Sequence, residues 1–402
     1  MGLGVLNPAI KKPPQAEETI LKIGNAITGL ACLACLAGLL IHPAASAEPG
    51  VSDTRVLIGQ SLGVTGPVAT TAEEVTSGLN AYFALANKRG GANGRSLELK
   101  TLDDANVPKR TGENAHAMLD GGEIFLLAGN LGTAHTAEAL KVAEAAGAPV
   151  ICPFSGAASL QGKFNRHLFH IRAGYREEAE KMVDHLLTVG VRRIAAFYQN
   201  DPFGQEGLAA IEEALQRRNL KLTASAGIER GSLDPAAAVK ALKASEAQAV
   251  IMFAVTRAAA EFTKQMRKAG ASPQFFGISI NANQDFINTL GEYGRGVGNA
   301  QVVPSPWNTA LPLVKEYQQA MREAGKEKFS FTSLEGFICG KVIVEGLRRA
   351  PRALTREKFI AALEGMNPFD LGGFEVRYSN ANHNGSRYVD LSVIGTNGKF
   401  LQ

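Results

Sequence analysis

The stretch VLIGQSLGVTGPVATTAEE, from Val56 to Glu74, reads as an apolar strand, a loop marked by Gly63, Gly66 and Pro67, and the start of a helix. Strand, Gly-rich loop and helix N-terminus is how α/β proteins build binding sites, because the first backbone N–H groups of the helix point outward. Thr71 with Glu74 three residues on forms a capping-box pattern, which predicts a helix that ends at Gly90-Gly91. The loop is not a phosphate cradle. No Gly-Lys-Ser/Thr follows it, and Gly59, Gly63 and Gly66 do not space as G-x-G-x-x-G. The acids at the end of the next strand, Asp103-Asp104, read as a turn and capping pair rather than a ribose ligand.

Outward from this unit the pattern alternates strand and helix. "NGR" turns the chain into a strand over Ser96–Leu102, and further strands are expected at Glu123–Ala128, Pro149–Cys152, Leu168–Arg172, Arg193–Tyr198, Lys221–Gly227, Gln248–Ala254 and Gln274–Ile278. "AAGAPVICP", "TVGVRRIAAFY", "ASEAQAVIMFA" and "KAGASPQFFGI" each close a helix on a small residue and open an apolar run. Continuous rather than alternating apolar strands indicate parallel sheets covered on both faces. Repeated βα units with right-handed crossovers give a doubly wound α/β fold. In a chain of 402 residues the strands are too many for one sheet, so two Rossmann-like lobes are expected, flanked by helices. The irregular "VVPSPWN" (302–308) is the candidate for a crossing between them.

A net charge of +4, with no basic run longer than pairs such as Arg217-Arg218 or Arg348-Arg349, argues against a nucleic-acid partner. Residues 1–47 read as a signal peptide: Lys11, Lys12 and Lys22, an apolar run from Ile23 to Ile41, and Ala45-Ser46-Ala47 as a cleavage site. Neither Cys32 nor Cys35 carries the context of a lipid anchor, so the mature chain is expected to be exported and periplasmic, cleaved near Ala47. Of the 4 cysteines, Cys152 and Cys339 remain; so far apart in sequence, they read as separately buried. No Cys/His spacing suits a metal, and no cofactor is implied.

No H-E-x-x-H pattern occurs in the sequence. His167 and His170 in "NRHLFHIR" lie three apart on a strand and read as structural or surface residues. The carboxylates of "REEAEK" and "TAEEV" read as solvated helix faces. What remains is a set of loops at strand ends, rich in hydroxyls, small residues and aromatics: "GVTGP", "GNLGTAHTAEA", "CPFSGAAS", "RAGYRE", "QNDPFG", "AVTRA" and "GISINAN". Hydroxyls and amides with few fixed charges suit a small polar organic ligand.

At these residues the chain resembles the type I periplasmic solute-binding proteins of ABC transporters, in the branched-chain amino acid (Leu/Ile/Val) class. "IGQSLGVTGPVA", "ANKRGGANGRSLELKTLDDAN", "AGAPVICPFSGAASL", "RIAAFYQNDPFGQEGL" and "KQMRKAG" carry the likeness in order, over essentially the whole chain after the signal. The resemblance implies two lobes joined by three crossings, near Ala173, Val303 and Gly373, with a ligand clamped between them. Residues 52–173 and 303–373 would form the first lobe, 174–302 and 374–402 the second. It also implies ligand-contacting roles for Thr133, whose hydroxyl position takes the ligand carboxylate, and for Ser155, Gly156, Tyr175, Phe203 and Thr256.

Two departures concern the ligand. Ser279 stands where the family's amino-acid binders have an acid for the ligand ammonium, and Thr71 where they have an aromatic. An ammonium left unpaired in a buried site is costly, so an aromatic acid, keto acid or amide rivals an amino acid, unless Asp201 or Asp285 supplies the acid. The implied function is substrate binding for an ABC importer, with a membrane permease as partner and no enzymatic activity. The rivals are a sensory receptor of the same fold and, from another class, a Rossmann-scaffold oxidoreductase or transferase.

Overall fold

The computed structural model describes residues 48–402, together with residues 1–4 and 9. The signal segment expected over 1–47 lies almost wholly outside the described residues. From Arg55 onward, strand and helix alternate: β1 (Arg55–Leu62), α1 (Ala69–Lys88), β2 (Ser96–Asp103), α2 (Pro108–Leu119), β3 (Leu126–Ala128), α3 (Thr133–Ala145), β4 (Val150–Ile151), α4 (Ala158–Gln161) and β5 (Leu168–Phe169). These strands pair in parallel in the order β2-β1-β3-β4-β5.

The same arrangement then repeats with α5 (Tyr175–Thr188), β6 (Ile194–Asn200), α6 (Pro202–Gln216), β7 (Ala224–Glu229), α7 (Ala236–Ala244), β8 (Ala249–Phe253), α8 (Thr256–Lys268), β9 (Gln274–Gly277), α9 (Gln284–Leu290) and β10 (Gly298–Gln301). Its parallel order, β7-β6-β8-β9-β10, copies that of the first sheet. The chain continues through α10 (Pro312–Glu323), α11 (Phe331–Arg349), α12 (Arg356–Glu364) and the short hairpin β11 (Phe369–Asp370) and β12 (Glu375–Val376). It finishes as β13 (Asp390–Ile394) and β14 (Phe400–Leu401), antiparallel additions at the edge of the second sheet.

This is the doubly wound α/β architecture, in two Rossmann-like lobes. The apolar runs become central strands buried on both faces: β3, β4, β8 and β10 are buried at every residue. The edge strands β2 and β7 instead mix buried and exposed positions. In both sheets the strand order reverses direction beside the first strand, so a crevice opens at the C-terminal ends of β1/β3 and of β6/β8, where open α/β sheets bind ligands.

The first lobe is braced by α11 lying against α1. Small residues let the two backbones meet: a Cβ on Gly78 would lie 1.8 Å from the Ser333 carbonyl oxygen, and one on Gly336 would lie 2.3 Å from that of Val75. Tyr82 and Phe337 pack edge to face beside them, ring centroids 5.0 Å apart.

Three expectations are corrected. Cys152 and Cys339 are joined in a disulfide across 187 residues of sequence, because α11 returns to the first lobe and carries Cys339 to the end of β4. Thr71 does not cap α1. The helix begins at Ala69 with no side-chain cap, and Glu74 accepts a hydrogen bond from Ser330 Oγ at the start of α11 instead (2.8 Å). The last crossing does not fall at Gly373. Residues past it stay with the first lobe: Tyr378 N–H donates to Met366 O (2.8 Å), Gly385 N–H donates to His170 O (2.8 Å), and the His383 ring stacks on Phe169 at 3.6 Å. The chain reaches the second sheet only at Asp390.

Replacing both cysteines, Cys152→Ala with Cys339→Ala, removes a cross-link that closes a long loop. Urea unfolding is expected to show a loss of about 2–4 kcal/mol, reproduced in the native sequence by reductant. Equal midpoints with and without reductant would show that the bond does not hold the lobe.

Candidate functional site

The loops that follow the parallel strands of both sheets meet at a cavity of about 30 Å³, room for about one water molecule. Ligand pockets run to about 300–1,000 Å³, so a ligand the size of an amino acid enters only when the lobes part. The apolar walls are Val68, Leu131, Tyr175, Phe203, Val255 and Ile280; the polar ones come from Asn106, Thr133, His135, Gln199, Asp201 and Arg230.

Three of the sequence candidates line this cavity: Thr133, Tyr175 and Phe203. Thr133 is the first residue of α3, so its amide and the next two have no intrahelical partner. Its Oγ1 lies 2.9 Å from Ser155 Oγ, which is 3.4 Å from the Tyr175 hydroxyl. Tyr175 opens α5 and packs edge to face on Phe203 (5.7 Å) and Phe253 (5.4 Å). Gly156 stands behind it: Tyr175 N–H donates to Gly156 O (2.7 Å), and a Cβ on Gly156 would lie 2.8 Å from that nitrogen. Ser155 and Gly156 therefore hold the wall rather than face the cavity.

Thr71 and Thr256 belong to a second group. Asn283 Nδ2 donates to Thr71 Oγ1 (3.3 Å), to Thr256 Oγ1 (3.1 Å) and to Ile280 O (2.9 Å), tying α1 of the first lobe to α8 of the second. Asn283 also caps α9, its Oδ1 accepting from Phe286 N–H (3.0 Å).

Ser279 belongs to a third. Its N–H and Oγ donate to the two carboxylate oxygens of Glu178 (2.8 and 3.0 Å), and Arg172 donates to its Oγ. Arg172 is 2% exposed and lies between Glu178 (3.5 Å) and Glu335 (3.7 Å). Glu178, inside the "REEAEK" face expected to be solvated, is fully buried. α5 turns that position inward under the second sheet, while Glu177 accepts from the Gly174 N–H (3.1 Å) at the start of the helix. The acid that Ser279 lacks is thus present on α5, already neutralised by Arg172.

Of the two proposed substitutes, Asp201 lines the cavity and Asp285 does not. Asp285 pairs with Arg257 (3.2 Å) on the wall of a separate groove of about 610 Å³. Asp201 caps α6, accepting from Gly204 N–H (3.1 Å), and also accepts from Gln199 Nε2 (2.5 Å), with Arg230 Nη1 at 3.4 Å. Arg230, His135 and Asn106 were missed in the sequence. Arg230 directly follows β7, so the strand-end rule that found the other loops also pointed to it.

Burial pushes the Tyr175 hydroxyl upward and His135 downward, which keeps both neutral near pH 7. His170, wholly buried, is driven down to about 3 by desolvation and is a structural residue. Burial lifts Glu178 against the pull of Arg172, and lifts Glu335 to about 7. Among the described residues no group of three or more His, Cys, Asp or Glu could hold a metal ion, and no helix is long and apolar enough to cross a membrane.

With this geometry, the comparisons with known proteins agree. Residues 55–399 match the model of the periplasmic binding protein family, and the chain belongs to it. It is 22% identical over 337 residues to "Leu/Ile/Val-binding protein homolog 3" of Brucella melitensis, covering 84% of this chain and 90% of that one. A substrate-binding periplasmic protein from Ralstonia solanacearum superimposes with a TM-score of 0.82 at 32% identity, over 86% of this chain and 99% of the other. A solute-binding protein of an ABC transporter from R. palustris, solved with benzoate, shares the fold at 17% identity (TM-score 0.77, 86% and 95% covered). The chain is a substrate-binding protein of the Leu/Ile/Val-binding type, built on the type I periplasmic fold.

Glu335 sets a pH dependence. With its carboxyl raised to about 7 in the folded protein and near 4.5 unfolded, the native state holds a proton that the unfolded state releases. Its contribution to stability is therefore full below about pH 4.5 and lost as pH rises through 7. Glu335→Gln is expected to raise the melting temperature at pH 8 and to reduce the fall between pH 5 and 8. A steeper fall in the variant would place a charged Glu335 in the folded protein.

Proposed function

We propose that this protein is the exported substrate-binding component of an ABC importer, and that it holds a small organic carboxylate with an apolar body. The observation that carries the reading is the cavity itself: the Thr133 hydroxyl and the unpartnered first-turn amides of α3 stand beside Tyr175, Phe203 and Ile280. Amide donors and a hydroxyl at a helix N-terminus suit a carboxylate, and the aromatic and aliphatic walls suit what is attached to it.

The lobes close over the ligand. Contacts that already span the cleft include those of Asn283 with Thr71, of Arg230 with Asn106, and of Ser159, whose N–H donates to Glu206 (3.0 Å). The ligand shifts the population to the closed form by binding that form better than the open one, and the closed form docks on a permease. The family, together with the signal segment expected over residues 1–47, supports the periplasm as its compartment.

Acids without an amine fit ahead of α-amino acids, because the carboxylates of the site are engaged: Glu178 with Arg172 and Ser279, Asp201 with Arg230, Gln199 and Gly204. An ammonium would need one of them released. The second reading, a branched-chain amino acid, is favoured by Asp201 on the cavity wall and by the name of the Brucella relative; it requires Asp201 to exchange Arg230 for the ligand.

Differential scanning fluorimetry with L-leucine, L-valine, 4-methylpentanoate, 4-methyl-2-oxopentanoate and benzoate separates the two. An amine-free acid at about 100 times its dissociation constant should stabilise the fold by about 2.7 kcal/mol while leucine and valine do little. Stabilisation by the amino acids alone would favour the second reading, and by none of the five would sink both. Thr133→Ala should weaken the binding acid by about tenfold while the unliganded protein stays folded, its melting temperature lowered slightly by loss of the bond to Ser155; full affinity would remove Thr133 from the site.

A further inference from the structure

Arg230 is the cation on the cavity wall, and it belongs to the second lobe while touching the first. Its Nη2 donates to Asn106 O at 2.9 Å and lies 3.5 Å from His135 Nε2, both first-lobe groups. Asp201, its carboxylate neighbour at 3.4 Å, already accepts from Gly204 N–H and Gln199 Nε2, so it neutralises Arg230 only in part. Neutral His135 adds no charge of its own.

The first lobe builds a special turn to meet this guanidinium. Ala105 and Asn106 both take left-handed backbone angles (φ 49° and 60°), a conformation that non-glycine residues seldom adopt. Two acids hold it: Asp103 accepts from Ala105 N–H (2.8 Å) and Asp104 from Asn106 N–H (2.9 Å). The Asp103-Asp104 pair is a turn former, and its product is the carbonyl that Arg230 reaches across the cleft.

His135 and Thr133 lie two residues apart in the first turn of α3, so Arg230 stands beside the end of that helix where Thr133 exposes its hydroxyl. We propose that Arg230 couples the ligand's charge to lobe closure. A carboxylate held on Thr133 by the first lobe is neutralised by Arg230 of the second, so that binding the anion and bringing the lobes together are one event. This rests on the carboxylate reading of the cavity. A guanidinium in a partly dry cleft attracts an anion more strongly than in water and gains little from a neutral amide of the same shape. Arg230 is therefore a specificity residue for charge, acting from the lobe that does not carry Thr133.

The test compares benzoate with benzamide and 4-methylpentanoate with 4-methylpentanamide, on the native sequence, Arg230→Gln and Arg230→Lys. Affinities come from calorimetry and closure from small-angle scattering. In Arg230→Gln, carboxylate affinity is expected to fall about 30-fold or more, amide affinity to change less than about threefold, and acid-induced compaction to disappear. Arg230→Lys, which keeps the charge, should recover about tenfold of the loss. Equal affinity of native protein and Arg230→Gln for the acids overturns the inference and leaves the carboxylate site standing. An equal loss for acids and amides also overturns it, making Arg230 only a brace on Asn106. Should none of these acids bind the native protein, the carboxylate reading fails first and the inference with it.

Discussion

The arrangement depends on one buried guanidinium. Arg172, in the segment joining β5 to α5, is enclosed between Glu178 of α5, Glu335 of α11 and the Ser279 hydroxyl beyond β9. Taking a charge out of water costs several kcal/mol, so the position is tenable only while its partners stay. Those partners come from both lobes, which makes Arg172 the point about which the two sheets are registered. Its Nε has no hydrogen-bond partner among the described residues, and Glu335 Oε1 meets Arg172 Nη1 only as an ion pair at 3.7 Å, without a hydrogen bond. One cation shared by two acids leaves one acid in excess, and burial accordingly holds Glu335 near pH 7.

From that point the site follows by geometry. Tyr175 and Glu178 lie on one turn of α5, so fixing Glu178 under Arg172 also fixes the tyrosine ring against Phe203 and Phe253. Ser279 held on Glu178 sets the 3-10 turn over Ser279–Asn281, and with it Ile280 on the cavity wall and Asn283 on Thr71 and Thr256. The same few contacts that align the lobes thus shape the cavity between them. Parting the lobes breaks these interlobe bonds, so a ligand that favours the closed form acts in the same direction as they do.

The sequence made the fold legible because central parallel strands are apolar without alternation, and "APVICP" and "QAVIMFA" carry that signal in a few residues each. It marked the loops around the cavity because ligand loops sit at strand ends, and the family resemblance then singled out Thr133, Tyr175 and Phe203 within them. It failed where one residue's environment is set by a distant segment. Glu178 looks like its exposed neighbour Arg176 until α5 is docked under the second sheet. Cys152 and Cys339 meet only because α11 rejoins the first lobe, and no local pattern encodes that return. Likewise, the resemblance assigns 374–402 to the second lobe, but backbone bonds of His383 and Gly385 to His170 hold that segment on the first until Asp390. Glu74, whose spacing from Thr71 suits a cap, is drawn instead to Ser330 on a helix far along the chain.

The central claim is that the cleft closes on a carboxylate at the N-terminus of α3. A crystal structure of the protein with whichever acid stabilises it most tests this directly. The account predicts the carboxylate within hydrogen-bond distance of Thr133 Oγ1 and the first amides of α3, with the body of the ligand against Tyr175 and Phe203. An acid found instead in the groove of about 610 Å³ beside Trp307, with the cavity at Thr133 unchanged, would contradict it.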